Sequence, residues 1–389
     1  KFYPTDFARG LPLSANVKLA TETGAALWLN VPHMLGAPDV FDQEDYFREI
    51  TVPQAGGGRR GVLRERVAQH AGDIFASNEL DRYADALVQS LIEQDYPADR
   101  MLYLELANEI WNYAPGFAKT ASFFFGMSDA LREGRGREVN ARYAYGFLSA
   151  RLAHVFEDAL MRAGRDQEWT LVLGVQTAVA GPTRRIIDGV ENYYQTERGG
   201  GPSAQQLQRF GLATTSYFGG GFKWNRNGNM YNAPTRETWM RRFLADLEED
   251  PEALRNRIER WILNEQPIPY NRAWMLKQKS EHRQIARDRG VRYLGDYEGG
   301  DHDTLEPALN SNKAALDFYN EFRTSPQAAR IRASVDSAIA ARFPGTINSD
   351  FGRIYAFDPS KPRPPWMEHM WNEETPLKQE VERRVVGGR

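Results

Sequence analysis

The sequence predicts an α/β fold of the (β/α)8 barrel type, and three observations carry that prediction. Short apolar, β-rich runs alternate with long helical patterns, the arrangement of a parallel sheet. The length of 389 residues suits one large barrel or two smaller domains. The segment Gly219–Pro234, which directly follows a strand, is long and rich in Gly and Asn, as on the face where barrels build their sites. The reading is a single barrel domain over residues 1–389 with long strand-to-helix loops.

The strand candidates are Ala25–Val31, Met101–Leu106, Thr170–Val175, Leu212–Tyr217 and Val291–Asp296. A sixth is Arg353–Phe357, with a start nearer Ile347 as the variant. Helical patterns cover Ala15–Thr23, Asn78–Gln94, Phe117–Glu133, Val139–Arg165, Arg236–Leu247, Pro251–Asn264, Asn271–Asp288, Asn310–Arg323 and Pro326–Arg342. Ser77-Asn78 before Glu79 reads as an N-cap. A complete barrel has eight strands, and Lys1–Pro12 lacks strand character. Two strand–helix units are therefore expected upstream of this chain. The alternatives are an open barrel or strands without a clear pattern. Pro53–Gly61, Gly199–Pro202 and Gly219–Pro234 read as irregular loops.

Composition narrows the function. Hydrophobic residues make up 41%, enough for a substantial core. The 49 basic and 52 acidic residues leave a net charge of −3, which gives no reason to expect nucleic acid or an anionic membrane as partner. No apolar run approaches the length of a membrane span. Cysteine is absent, so disulfides and thiolate metal sites are excluded. Lys1 is not an initiator Met, which suggests a processed or truncated product. A secreted or periplasmic location is slightly favoured, and oligomeric state is left open.

The chemistry is written at two places. In MLYLELANEIWN, an apolar strand delivers Glu109, with Asn108 before it and Trp111 after it. In VRYLGDYEGGDH, a second strand is read as ending at Glu298. Two carboxyl groups on rigid strand ends suit cleavage of a glycosidic bond. One protonates the departing oxygen, and the other attacks the anomeric carbon or activates water. Asn108 is placed to donate to a sugar 2-hydroxyl. Tyr217 ends the intervening strand, placed to hydrogen-bond Glu298 and hold it ionised. Trp28, Asn30 and His33 cluster in WLNVPH as a sugar-subsite wall, with His302 beside the second carboxylate. Trp366 or Trp371 is a candidate stacking floor. No cofactor is expected, and the partner is a carbohydrate substrate.

ELANEIWN resembles the acid/base segment of clan A glycoside hydrolases, retaining enzymes built on a (β/α)8 barrel. YLGDYEGG resembles that clan's nucleophile segment, and SYFGG its strand-six tyrosine. The resemblance spans roughly Ala25 to His302. It implies that Glu109 is the acid/base and Glu298 the nucleophile. WLNVPH then falls on strand three, which again implies two strands upstream. Retention would require the two carboxyl groups to stand roughly 5–5.5 Å apart.

Other readings stand beside this one. Glu109 also suits the first turn of a following helix, favoured there by the dipole. Glu298 also suits a solvated acidic loop. Asp296, Glu298, Asp301, His302 and Asp303 could serve a metal-dependent hydrolase or lyase. A barrel that binds carbohydrate without turnover is a third option. Asn264-Glu265 repeats the Asn-Glu pair but reads as a helix end. Arg59, Arg60, Arg64 and Arg66 read as a solvated basic loop, with a grip on a sulfated or uronic sugar as the rival.

Overall fold

The computed structural model describes residues 12–35, 58–112, 118–132, 139–301 and 303–348. Five strands form one parallel sheet: β1 (Leu27–Val31), β2 (Leu102–Leu106), β3 (Trp169–Val175), β4 (Phe210–Phe218) and β5 (Arg292–Asp301), with spatial order following chain order. The fold is therefore α/β, as the alternating pattern predicts. The candidate strand Arg353–Phe357 lies outside the described residues. At its variant start, Ile347 makes an isolated parallel bridge to Gly295 of β5. The chain divides into two compact units, residues 1–212 with 285–293, and residues 213–284 with 294–389.

In the first unit, β1 and β2 pair with Leu27 opposite Leu102 and Asn30 opposite Glu105. β2 and β3 pair with Leu102 opposite Trp169 and Glu105 opposite Val172. Side chains alternate across a strand, so Leu27, Leu29, Val31, Leu102, Leu104 and Leu106 point to one face and join the apolar core. Trp28, Asn30, Tyr103 and Glu105 point to the other. All seven residues of β3 are buried, as expected of a parallel strand covered on both faces.

The helices of this unit are α1 (Leu13–Thr23), α2 (Gly58–Gln69), α3 (Ala71–Ala76), α4 (Glu79–Glu93), α5 (Ala118–Arg132), α6 (Ala141–Arg162), α7 (Gly181–Glu197) and the single turn α8 (Ala204–Leu207). α4 buries Ala84, Leu87, Val88 and Leu91, the spacing of a helix with one apolar stripe. Its N-terminal N–H is met by Ser77, whose Oγ accepts from Glu79 N at 3.2 Å, and not by the Asn78 side chain. Asn140 caps α6 by accepting from the N–H groups of Arg142 and Tyr143.

Two expectations are corrected. The basic loop expected at Pro53–Gly61 gives way at Gly58 to α2, where Arg64 forks onto the Asp129 carboxylate and lies over Phe125. The side chains of Arg59 and Arg60 lie outside the described residues. α7 is absent from the helical patterns expected from sequence, and it contains Gly181, Pro182 and Gly189, residues of low helix propensity. Pro182 instead occupies the first turn, where a missing N–H costs nothing. Gly189 lets α7 close on α6: a Cβ there would overlap the Tyr143 carbonyl oxygen, and one at Gly146 would overlap that of Ile186.

The second unit carries α9 (Arg236–Glu249), α10 (Pro251–Ile262), most of α11 (Arg272–Asp288), a 3-10 turn (Pro307–Leu309), α12 (Lys313–Arg323) and α13 (Pro326–Arg342). Thr235, Asp250, Asn312 and Ser325 cap α9, α10, α12 and α13 through side-chain oxygens. Pro251 and Pro326 stand at the first positions of α10 and α13. Its core centres on Phe222, ringed by Phe243, Phe318, Tyr319 and Phe322 at centroid distances of 5.0–6.1 Å. Asn264 follows α10, as the helix-end reading of Asn264-Glu265 expects.

Alanine normally favours a helix over glycine by about 1 kcal/mol. At Gly189 the overlap with Tyr143 reverses that sign. Gly189→Ala should cost about 2–4 kcal/mol in urea unfolding, whereas Gly181→Ala, with open space around it, should not destabilise.

Candidate active site

β2 ends in a strained turn. Ala107 and Glu109 both adopt left-handed backbone, with φ of 65° and 48°. Non-glycine residues held there cost on the order of 1 kcal/mol or more each, and such positions concentrate at functional sites. Asn112 holds the turn: its N–H donates to the Glu109 carbonyl at 2.8 Å, and its Nδ2 donates to Glu109 Oε2 at 2.7 Å. Asn108, Glu109 and Trp111 are partly exposed. No helix begins at Glu109, since Ala107–Asn112 is turn and bend. The helix-start reading of this glutamate is thereby corrected. Trp111 lines a small cleft with Arg142, Gln176 and Ile186.

The neighbouring strand end carries the WLNVPH residues. Trp28 Nε1 donates to Glu105 Oε2 at 3.0 Å, and its ring stacks on Tyr103 at 5.2 Å. Glu105 is buried, 1% exposed, and was not singled out from the sequence. The available signal was a carboxylate inside the apolar string LYLEL, a placement rare without a partner. Asn30 is exposed at the β1 end. His33 follows, its ring stacked on Phe124 at 5.7 Å and edge-on to Phe123 at 5.1 Å. Burial among these rings pushes its imidazole down from 6.5 to about 4. Its Nε2 is buried without a hydrogen-bond partner among the described residues.

In the second unit, Tyr217 Oη donates to Glu298 Oε1 at 2.7 Å, the bond expected of that pair. Glu298 is buried, 8% exposed, and Tyr217 is partly exposed. β5 runs on to Asp301, so Glu298 lies within the strand and not at its end or in a loop. This corrects the predicted strand boundary at Asp296. Two residues earlier, Asp296 is fully buried and pairs with the fully buried Lys279 of α11. Thr214 Oγ1 donates to Asp296 Oδ1 at 2.9 Å, and Lys279 Nζ donates to Ser216 Oγ at 2.7 Å. Burial pulls the lysine ammonium below its ordinary range, and Asp296 opposes that pull.

The rest of the acidic run organises the Gly-rich loop after β4. Asp303 accepts from the N–H groups of Gly220, Gly221 and Phe222 at 2.9, 2.9 and 3.2 Å. Glu306 accepts from Trp224 N and pairs with Arg236. Asp296 and Asp303 are thus engaged in separate structural bonds. No group of three or more His, Asp or Glu that could hold a metal occurs among the described residues. His302, Trp366 and Trp371 lie outside the described residues. No described helix is long and apolar enough to cross a membrane.

The chain matches no family model, no curated protein and no solved structure.

The lowered His33 value has a defined consequence for stability. Below pH 6.5 the unfolded chain takes up a proton that the folded His33 refuses until about pH 4. Stability is therefore lost as pH falls through that window, by up to about 3 kcal/mol. In His33→Phe, the drop in urea midpoint between pH 7 and pH 4 should be smaller than in the parent.

Proposed function

We propose that the protein is a retaining glycoside hydrolase acting on a poly- or oligosaccharide, on a fold of the (β/α)8 barrel type. The observation that carries the reading is the 2.7 Å hydrogen bond from Tyr217 to Glu298. A buried glutamate that accepts from a phenol is held in one orientation. That is what a carboxylate nucleophile requires. The strained turn around Glu109 supports the second role, because it sets a partly exposed carboxyl group on a fixed strand end.

In the first step Glu109 donates its proton to the glycosidic oxygen, and a Glu298 oxygen forms a bond to the anomeric carbon as the leaving group departs. In the second, ionised Glu109 takes a proton from water, whose oxygen displaces Glu298. Each displacement inverts the anomeric centre, so two together retain it. Trp28, held by Glu105 and Tyr103, supplies an aromatic face for a pyranose ring. Asn108, Asn30, Trp111, His33, His302 and Trp366 remain its proposed substrate contacts. The bonds of Asp296 and Asp303 favour this reading over the metal-dependent one.

Glu298→Ala should lower kcat on a cleaved glycan by on the order of 10⁴-fold or more. Glu109→Ala should be rescued by azide, giving a glycosyl azide of retained configuration by NMR. Parent-like turnover in either variant would remove that glutamate from the chemistry.

A further inference from the structure

We propose that Lys279 is a positioning residue for Glu298, acting through the Tyr217–Glu298 hydrogen bond. The inference rests on Glu298 being the nucleophile of the proposed reaction. Lys279 reaches from α11 to both strands: to Ser216 Oγ on β4 at 2.7 Å, and to Asp296 Oδ1 on β5. Ser216 immediately precedes Tyr217, and Asp296 precedes Glu298 by two. One ammonium therefore ties β4 to β5 beside the rung where tyrosine meets glutamate. Thr214 adds bonds to Asp296 Oδ1 at 2.9 Å and to the Gly295 carbonyl at 3.1 Å.

Energetics argue that the cluster serves geometry. A fully buried ion pair often contributes no more stability than apolar residues of similar volume, because desolvating both charges offsets their attraction. An apolar pair would fill this space but would not fix one strand against the other. Ammonium and carboxylate bonds are directional, and a one-residue slip would turn Tyr217 away from its partner. Phe343 covers the ammonium at 5.3 Å. β5 is also held at the same level by Ile347, whose N–H donates to Leu294 O at 2.7 Å and whose carbonyl accepts from Asp296 N at 2.9 Å. Gly295, at φ 107°, has no room there for a Cβ against the Ile347 carbonyl.

The test is the double variant Lys279→Met/Asp296→Leu, which removes both charges and leaves net charge unchanged. Glu298 is followed by carboxyl-carbon NMR titration in glutamate-labelled protein, its resonance assigned with Glu298→Gln. The double variant should shift the Glu298 titration in the same direction as Tyr217→Phe, and adding Tyr217→Phe to it should produce no further shift. kcat should fall about tenfold or more with KM within about twofold. An unmoved Glu298 titration, or a full additional shift from Tyr217→Phe, would overturn the proposal. If the double variant does not fold, Ser216→Ala breaks only the β4 arm and is read by the same two criteria. Failure of the parent to cleave any glycan would refute the hydrolase reading, while the titration would still decide what positions Glu298.

Discussion

Parallel strand pairing is the constraint from which the rest follows. Parallel neighbours cannot be joined by a tight turn, so each strand must be followed by a crossover long enough to return the chain to the same end of the sheet. Helices fill those crossovers because only they bury their own backbone groups while covering the sheet face. The same rule gathers consecutive strand ends together. In the first unit, His33, Asn108–Trp111 and Gln176 all follow the ends of β1, β2 and β3, strands that pair in direct register. Alternation then separates two populations. Leu and Val point to the helices, and Trp28, Tyr103 and Glu105 point to the opposite face.

Burial of charge follows a second rule, that a charge removed from water must be met by opposite charge or by several donors. The stretch from Asp296 to Glu306 obeys it at three points. Asp296 meets an ammonium and a hydroxyl. Asp303 meets three backbone N–H groups. Glu306 meets a backbone N–H and a guanidinium. These bonds turn an acidic run into a set of fasteners for β4, its loop and α9. The Gly run at 219–221 suits this arrangement because a Cβ at Gly219 or Gly221 would press on Asp303 or Ile258.

The strands were legible because each writes a short, nearly unbroken apolar run, AALWLNV, MLYLEL and TLVLGV, and the last of these is buried on both faces. Helix starts were legible where Pro opened a helical pattern, as at Pro251 and Pro326. α7 was not legible. Its internal glycine, Gly189, serves contact with α6, and a tertiary requirement of that kind leaves only a helix-weakening mark on the local sequence. The length of β5 was hidden likewise, since Gly299 and Gly300 weaken a strand pattern that nonetheless runs on to Asp301. Of the site, the Tyr217–Glu298 pair was readable from two strand ends. Glu105 was not legible because its partner, Trp28, lies on another strand and meets it only once β1 and β2 pair.

The two glutamates sit in unlike settings, and the difference fits the two jobs that glycoside cleavage assigns. Glu109 lies on a turn, partly exposed, with a side-chain amide on one oxygen. An acid that must lose and regain a proton in every cycle needs such access to water. Glu298 lies inside a strand, buried, with a phenol on one oxygen and a salt-bridged neighbour two residues away. A nucleophile that must attack one carbon from one direction needs fixed orientation more than exchange with solvent. Had both carboxylates lain on turns, or both inside strands, the assignment of roles would rest on resemblance alone. Their contrast supports the proposed division of roles.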